Sequence, residues 1–197
     1  MLLTCNMLIG CDDKPQDIGE YKSWFTDIRN GYVKEIVIKD LTYSVQYRPR
    51  ELMMLNDIIG QDLSVNVIDS IRETYGNSEY FLLEIGPGQK LGDATGDLIK
   101  NYSYDYESYA SIFNELAFHA DENVLMIVGT DTLAPTLHHY EQGFELGTSQ
   151  KILFAFHPAI TSDNTDVVFI YDDEVFGAGR LRFKFNIDRS EIPQLPI

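Results

Sequence analysis

Cys11 is the residue whose neighbours most narrowly define its chemistry. It ends the run Leu8-Ile9-Gly10-Cys11, behind the apolar Met1-Leu2-Leu3 and ahead of Asp12-Asp13-Lys14-Pro15. This is the order of a bacterial lipobox: an apolar stretch enters the membrane, a small residue precedes the cut, and the cysteine thiol is acylated as the new N-terminus. The pattern predicts a signal segment over residues 1–10, lipobox positions at Leu8, Ile9 and Gly10, and lipid attachment at Cys11. Such signals normally open with a basic region. No Lys or Arg precedes Lys14, so that region is expected upstream of Met1. The second cysteine, Cys5, leaves with the signal. The mature chain is then expected to carry no disulfide, no thiolate nucleophile and no thiolate metal site.

Carboxylates and histidines supply the remaining candidates. Asp163-Asn164-Thr165-Asp166 and Asp172-Asp173-Glu174 are acidic turns flanking one strand. Alternating oxygen ligands suit a weak extracellular calcium site, which makes Asp163, Asp166, Asp172 and Asp173 its candidate ligands. Neither turn follows the calcium-loop pattern, and Asp and Asn in turns also bond their own backbone. Ca2+ is therefore the lesser expectation, and no cofactor beyond the covalent lipid is expected. Asp131, His138 and His139 form a candidate polar site. Adjacent residues of a strand point to opposite faces, so His138 and His139 cannot grip one ion as an i, i+2 pair can. One histidine outward and one in a polar network is the plainer expectation.

Other motifs fail on spacing. Gly86-Pro87-Gly88-Gln89-Lys90-Leu91-Gly92 fits neither the dinucleotide fingerprint nor the P-loop, and reads as a surface loop. No Gly-x-Ser-x-Gly elbow is present, so a serine hydrolase has no support. With 31 acidic residues in the chain, a pair suited to glycoside cleavage carries no signal. The chain leans towards a non-enzyme.

Residues 11–20 read as a polar tether that lifts a single domain, residues 21–197, off the lipid. Tyr21 to Asn30 reads as a turn or short helix ending at the Asn30-Gly31 turn. Period-two alternation marks Val33–Ile38 and Leu41–Tyr47 as strands joined at Lys39-Asp40. Pro49 opens a helix, Arg50–Ile58, that Gly60 ends. Ser64–Tyr75 and Tyr106–Phe118 read as two further helices, and Tyr80–Ile85 as an apolar strand between them. Val124–Val128, Leu133–Tyr140, Lys151–His157, Val167–Tyr171 and Leu181–Asn186 make a C-terminal strand meander. The order predicts an α+β fold with a mostly antiparallel sheet and about three helices.

Composition sets the outer limits. Hydrophobic residues make up 44% of the chain, with 12 tyrosines and 11 phenylalanines, enough for a core of its own. The formal net charge of −16 repels phosphate backbones, so a nucleic-acid partner is not expected. No window approaches the length of apolar chain that a spanning helix needs.

With these residues in view, the chain resembles the small uncharacterised lipoproteins of Bacteroidota-type bacteria. The resemblance lies in the lipobox, the acidic Cys11-Asp12-Asp13 start, Trp24-Phe25 and Asn30-Gly31 before the strands, and the ending Asp172-Asp173-Glu174-Val175-Phe176-Gly177 with Arg182-Phe183-Lys184-Phe185. It implies lipid anchoring at the outer membrane, periplasmic or surface-facing. The expected role is a non-enzymatic binding or accessory protein whose partner is another envelope protein. The alternatives are an envelope hydrolase with a His/carboxylate site and an acidic immunity-type protein that binds a basic toxin.

Overall fold

A computed structural model describes residues 15–58, 64–88, 97–141, 149–157 and 164–196. The lipobox, Asp163 and residues 89–96 of the glycine loop lie outside the described residues.

The first element begins inside the stretch expected to be a tether. Asp17 caps helix α1 (Ile18–Thr26), its side chain accepting from the backbone N–H of Glu20 at 2.8 Å. An N-cap carboxylate satisfies one of the donors that a helix start leaves open. Tyr21 and Phe25 then project from one face and are fully buried, which ties the polar stretch to the domain from Asp17 onward. A 3-10 turn at Ile28–Asn30 ends at Gly31. There φ is 82°, a left-handed conformation that glycine adopts without steric cost.

Strands β1 (Val33–Ile38) and β2 (Leu41–Arg48) form the expected hairpin, with Ile38 opposite Leu41. Helices α2 (Arg50–Ile58) and α3 (Val65–Tyr75) follow. Strand β3 (Glu79–Pro87), the short helix α4 (Leu98–Asn101) and α5 (Tyr106–Phe118) come next. The remaining strands are β4 (Val124–Val128), β5 (Asp131–Leu133), β6 (Leu137–Glu141), β7 (Gln150–Phe156), β8 (Asn164–Asp173) and β9 (Gly179–Asp188).

The fold is α+β, with two antiparallel sheets rather than one. The first runs β1-β2-β3-β7-β6 and the second β5-β4-β8-β9. The split falls within the expected strand Leu133–Tyr140. Pro135 lacks the N–H that a continuous ladder needs, so the chain leaves the second sheet after Leu133 and joins the first at Leu137. Helices number five among the described residues. The two beyond the expected three are α1, which the sequence left between turn and helix, and the single-turn α4.

Odd-numbered residues of β2, β3, β8 and β9, and the even-numbered residues of β7, face the space between the sheets. Tyr43, Val45 and Tyr47 of β2 line up with Phe81, Leu83 and Ile85 of β3 and with Ile152, Phe154 and Phe156 of β7, all buried. From the opposite sheet come Val167, Phe169 and Tyr171 of β8, and Leu181, Phe183, Phe185 and Ile187 of β9. The Phe81 ring lies 5.4 Å from that of Phe169 and 5.5 Å from that of Phe185, centroid to centroid. Aromatic contacts at this separation add roughly 0.5–1.5 kcal/mol each beyond area burial. A smaller cluster, Met54, Ile58 and Ile68, joins α2 to α3, and Leu195 of the C-terminal tail packs on it.

Candidate functional site

The acidic turn after β8 is a structural clamp. Asp173 is 2% exposed and sits in the inward phase of its strand. One carboxylate oxygen accepts from the backbone N–H groups of Val175 and Phe176, at 3.1 and 2.9 Å. The other accepts from the N–H of Ala178 at 2.8 Å and from the Tyr43 hydroxyl at 2.7 Å. Tyr43 belongs to the first sheet and Asp173 to the second, so the carboxylate folds its own turn and bolts the sheets together. Asp172 points outward and pairs with Arg180 at 2.6 Å; that guanidinium holds its carboxyl below the usual carboxylate range. Asp166 accepts from the Asn186 side chain at 2.8 Å. Among the described residues no group of three or more His, Cys, Asp or Glu is arranged to hold a metal ion.

The candidate polar site is not drawn together either. Asp131 is exposed on β5 of the second sheet, while both histidines lie on β6 of the first. Among the described residues no hydrogen bond or ion pair joins Asp131 to either. The two rings do point to opposite sides. His139 is exposed, whereas His138 turns inward, with Nδ1 3.0 Å from Asp121 and Nε2 3.2 Å from the Ala117 carbonyl. His138 fastens the end of α5 to the sheet.

The sequence reading missed a cleft of about 510 Å³. It opens where β2 ends and β3 begins, between the first turn of α2, the end of α3 and the C-terminal tail. At its floor Glu79 is 2% exposed. Glu79 accepts from the Tyr47 hydroxyl at 2.9 Å and is paired with Arg189. Burial pushes the Glu79 carboxyl above its ordinary value, with Arg189 and the Tyr47 hydroxyl pulling the other way. Arg50 crosses the cleft mouth, its Nη1 donating to the Gly76 carbonyl at 3.1 Å and to Asn77 Oδ1 at 3.3 Å. Arg72 of α3 lines the same space and pairs with Asp69 at 2.6 Å. A signal was present in the sequence: Glu79 falls in phase with Phe81, Leu83 and Ile85, an acid on the apolar face of a strand.

Compared with protein-family models, curated proteins and solved structures, the chain matches none.

A second feature stands on the opposite kind of surface. Tyr104 is 99% exposed and Tyr106 is 85% exposed, unusual for rings of this size. Their backbone is nonetheless held. Asp105 caps α5 by accepting from the N–H of Ser108 at 2.8 Å, and the Ser108 hydroxyl accepts from the N–H groups of Tyr104 and Asp105 at 2.9 and 3.0 Å. This reciprocal capping box fixes the helix start, and the N–H and hydroxyl of Ser108 hold the Asp105 carboxyl below its ordinary value. Tyr109 donates to Asp97 at 2.9 Å, which ties α5 to the start of α4. Between them lies a shallow hollow of about 440 Å³, bordered by Lys100 and the three tyrosines.

Proposed function

We propose that this chain is a lipid-anchored, non-enzymatic binding protein of the bacterial cell envelope, akin to the small lipoproteins of Bacteroidota-type bacteria. It is held at the outer membrane through Cys11 and takes another envelope protein, one that presents a basic segment, as its partner. The anchor rests on Leu8-Ile9-Gly10-Cys11 and the acidic residues after it.

The observation that carries the binding role is the pair of solvent-facing rings, Tyr104 and Tyr106, on a backbone already fixed by a capping box. Rigid aromatics lose little conformational freedom on contact, which is why they concentrate binding energy at interfaces. The segment that carries them is acidic: residues 97–123 hold six carboxylates against one lysine, Lys100, which borders the hollow beside Asp105. Aromatic faces among carboxylates suit Lys and Arg side chains, through cation–π contact and charge together. An immunity-type protein acting on a basic toxin would use the same surface.

Two expected results test the reading. Natively expressed protein should start at Cys11 with a lipid mass increment and fractionate with membranes, and Cys11→Ser should be unmodified and leave the membrane. An unmodified Cys11 on soluble native protein would sink the anchor. A Lys/Arg-rich peptide should bind the chain with an affinity that falls as salt rises. Tyr104→Ala/Tyr106→Ala should weaken that binding by about fivefold or more, since each cation–π contact contributes roughly 0.5–1 kcal/mol. Equal binding by the double variant would mean that bulk charge alone attracts the peptide.

A further inference from the structure

The cleft over Glu79 has a chemistry of its own, independent of the anchor and of the tyrosine surface. We propose that it binds a small organic oxyanion, a carboxylate or phosphate borne on a compact apolar body, with Arg72 and Arg189 gripping the anion. Three of the chain's seven arginines, Arg50, Arg72 and Arg189, line this one space. Each is paired with one carboxylate, Arg50 with Glu51, Arg72 with Asp69 and Arg189 with Glu79, so an anion would meet the edges of the forks that those pairs leave over.

Their hydrogen bonding leaves room for a ligand. Among the described residues, Arg72 engages one terminal nitrogen with Asp69, and Arg189 one with Glu79. The rest of each planar fork is open, and such forks match the oxygens of carboxylate and phosphate. Arg189 is held from beneath by a carboxylate that is itself buried and braced by the Tyr47 hydroxyl. Glu79 is buried while the Arg189 side chain is 42% exposed, so the pair fixes a solvent-facing guanidinium at the floor of an open cleft and prepares it for an anion. Arg50 is used more fully, bonded to Gly76, Asn77 and Glu51, and serves as the wall. Pro49, Ile192 and Leu195 supply the apolar border. A cleft of about 510 Å³ lies within the usual range for small-molecule sites.

The test is calorimetric titration of the full chain with phenyl phosphate and with benzoate, beside uncharged benzyl alcohol. Saturable binding of at least one anion and none of the alcohol is expected. Arg72→Gln should weaken it about tenfold or more, the loss of one charge-assisted contact. Because the Arg72–Asp69 pair is largely solvent-exposed, the thermal midpoint of this variant should stay unchanged. Displacement of the probe by phosphatidylglycerol vesicles would assign the natural anion to a lipid headgroup; no displacement would assign it to a soluble acid. Either supports the site. Failure of both anions to bind, equal binding of benzyl alcohol, or an unaltered affinity in Arg72→Gln would overturn the proposal.

Discussion

Replacing Asp173 with alanine is expected to lower the unfolding free energy by about 3–5 kcal/mol, the combined effect of several stranded groups at roughly 1–3 kcal/mol each. Three backbone N–H groups and the Tyr43 hydroxyl all aim at this one buried carboxylate. Without it the turn from Val175 to Ala178 loses the acceptor around which it is wound. The first sheet also loses its polar tie to the second. In a chain of this size each kcal/mol moves the thermal midpoint by about 2–4 °C, so a drop on the order of 10 °C is expected in a thermal melt. Its neighbour provides the control. Asp172 pairs with Arg180 on the outside of the same strand, and an exposed pair contributes about 0–1 kcal/mol. Asp172→Ala should therefore melt close to the parent. Equal losses in the two variants would show that charge near the hairpin matters, and that the buried acceptor does not.

That clamp also shows what is legible in the sequence and what is not. Alternation tells which residues of each strand face inward, because a period of two is a local property of the extended chain. Arg180 to Ile187 reads in this way as charged outward and apolar inward, and Leu181, Phe183, Phe185 and Ile187 are indeed the buried set. The same rule carries a second message. Glu79 and Asp173 stand in the inward phase, and an acid in that phase is by itself the mark of a buried polar cluster. The sequence reading places Asp173 in an acidic turn, with calcium as the lesser expectation there, and passes over Glu79.

Pairing is the part that cannot be read locally. Strand β3 lies between β2 and β7, so Phe81 pairs with Tyr47 on one side and with Phe154 on the other. Nothing in the alternation of any one strand distinguishes that order from another. Nor does the pattern around Leu133 reveal a change of sheet, although Pro135 marks the position. The cleft is hidden for the same reason. Tyr47, Arg72, Glu79 and Arg189 come from four separated segments, and only the two-sheet arrangement with α3 against α2 brings them to one place. His138 and Asp131 illustrate the reverse. Near in sequence, they belong to different sheets.

The second large effect is expected from Arg189→Ala, and its dependence on pH identifies the cause. Removing this guanidinium leaves Glu79 buried, with the Tyr47 hydroxyl as its only remaining hydrogen-bond partner among the described residues and the Arg50 charge as a weaker, remaining attraction. Breaking a fully buried pair from one side costs about 3–5 kcal/mol; here the carboxylate is buried but Arg189 is 42% exposed, so a loss of about 2–3 kcal/mol is expected near neutral pH. The Glu79 carboxyl already lies above its ordinary value because of burial, and loss of Arg189 raises it further. A carboxyl whose folded value is raised binds its proton more tightly folded than unfolded, so stability falls as pH rises from the unfolded value through the folded one. Below the ordinary carboxylate value of about 4.3 both states are protonated and the penalty vanishes. Asp27, pulled down to about 2 by Arg29, together with Asp105 and Asp172, slopes the other way; these groups are common to parent and variant and cancel in the difference. Urea unfolding from about pH 8 down to about pH 5 should therefore show the gap between parent and Arg189→Ala narrowing towards acid. The double variant Glu79→Gln/Arg189→Ala removes the charge that was stranded, while its amide oxygen can still accept from Tyr47. It should recover most of the loss and show a gap that no longer varies with pH. A gap of constant size in the single variant would instead assign the effect to the packing of the Arg189 side chain, and the buried carboxylate would then not depend on it.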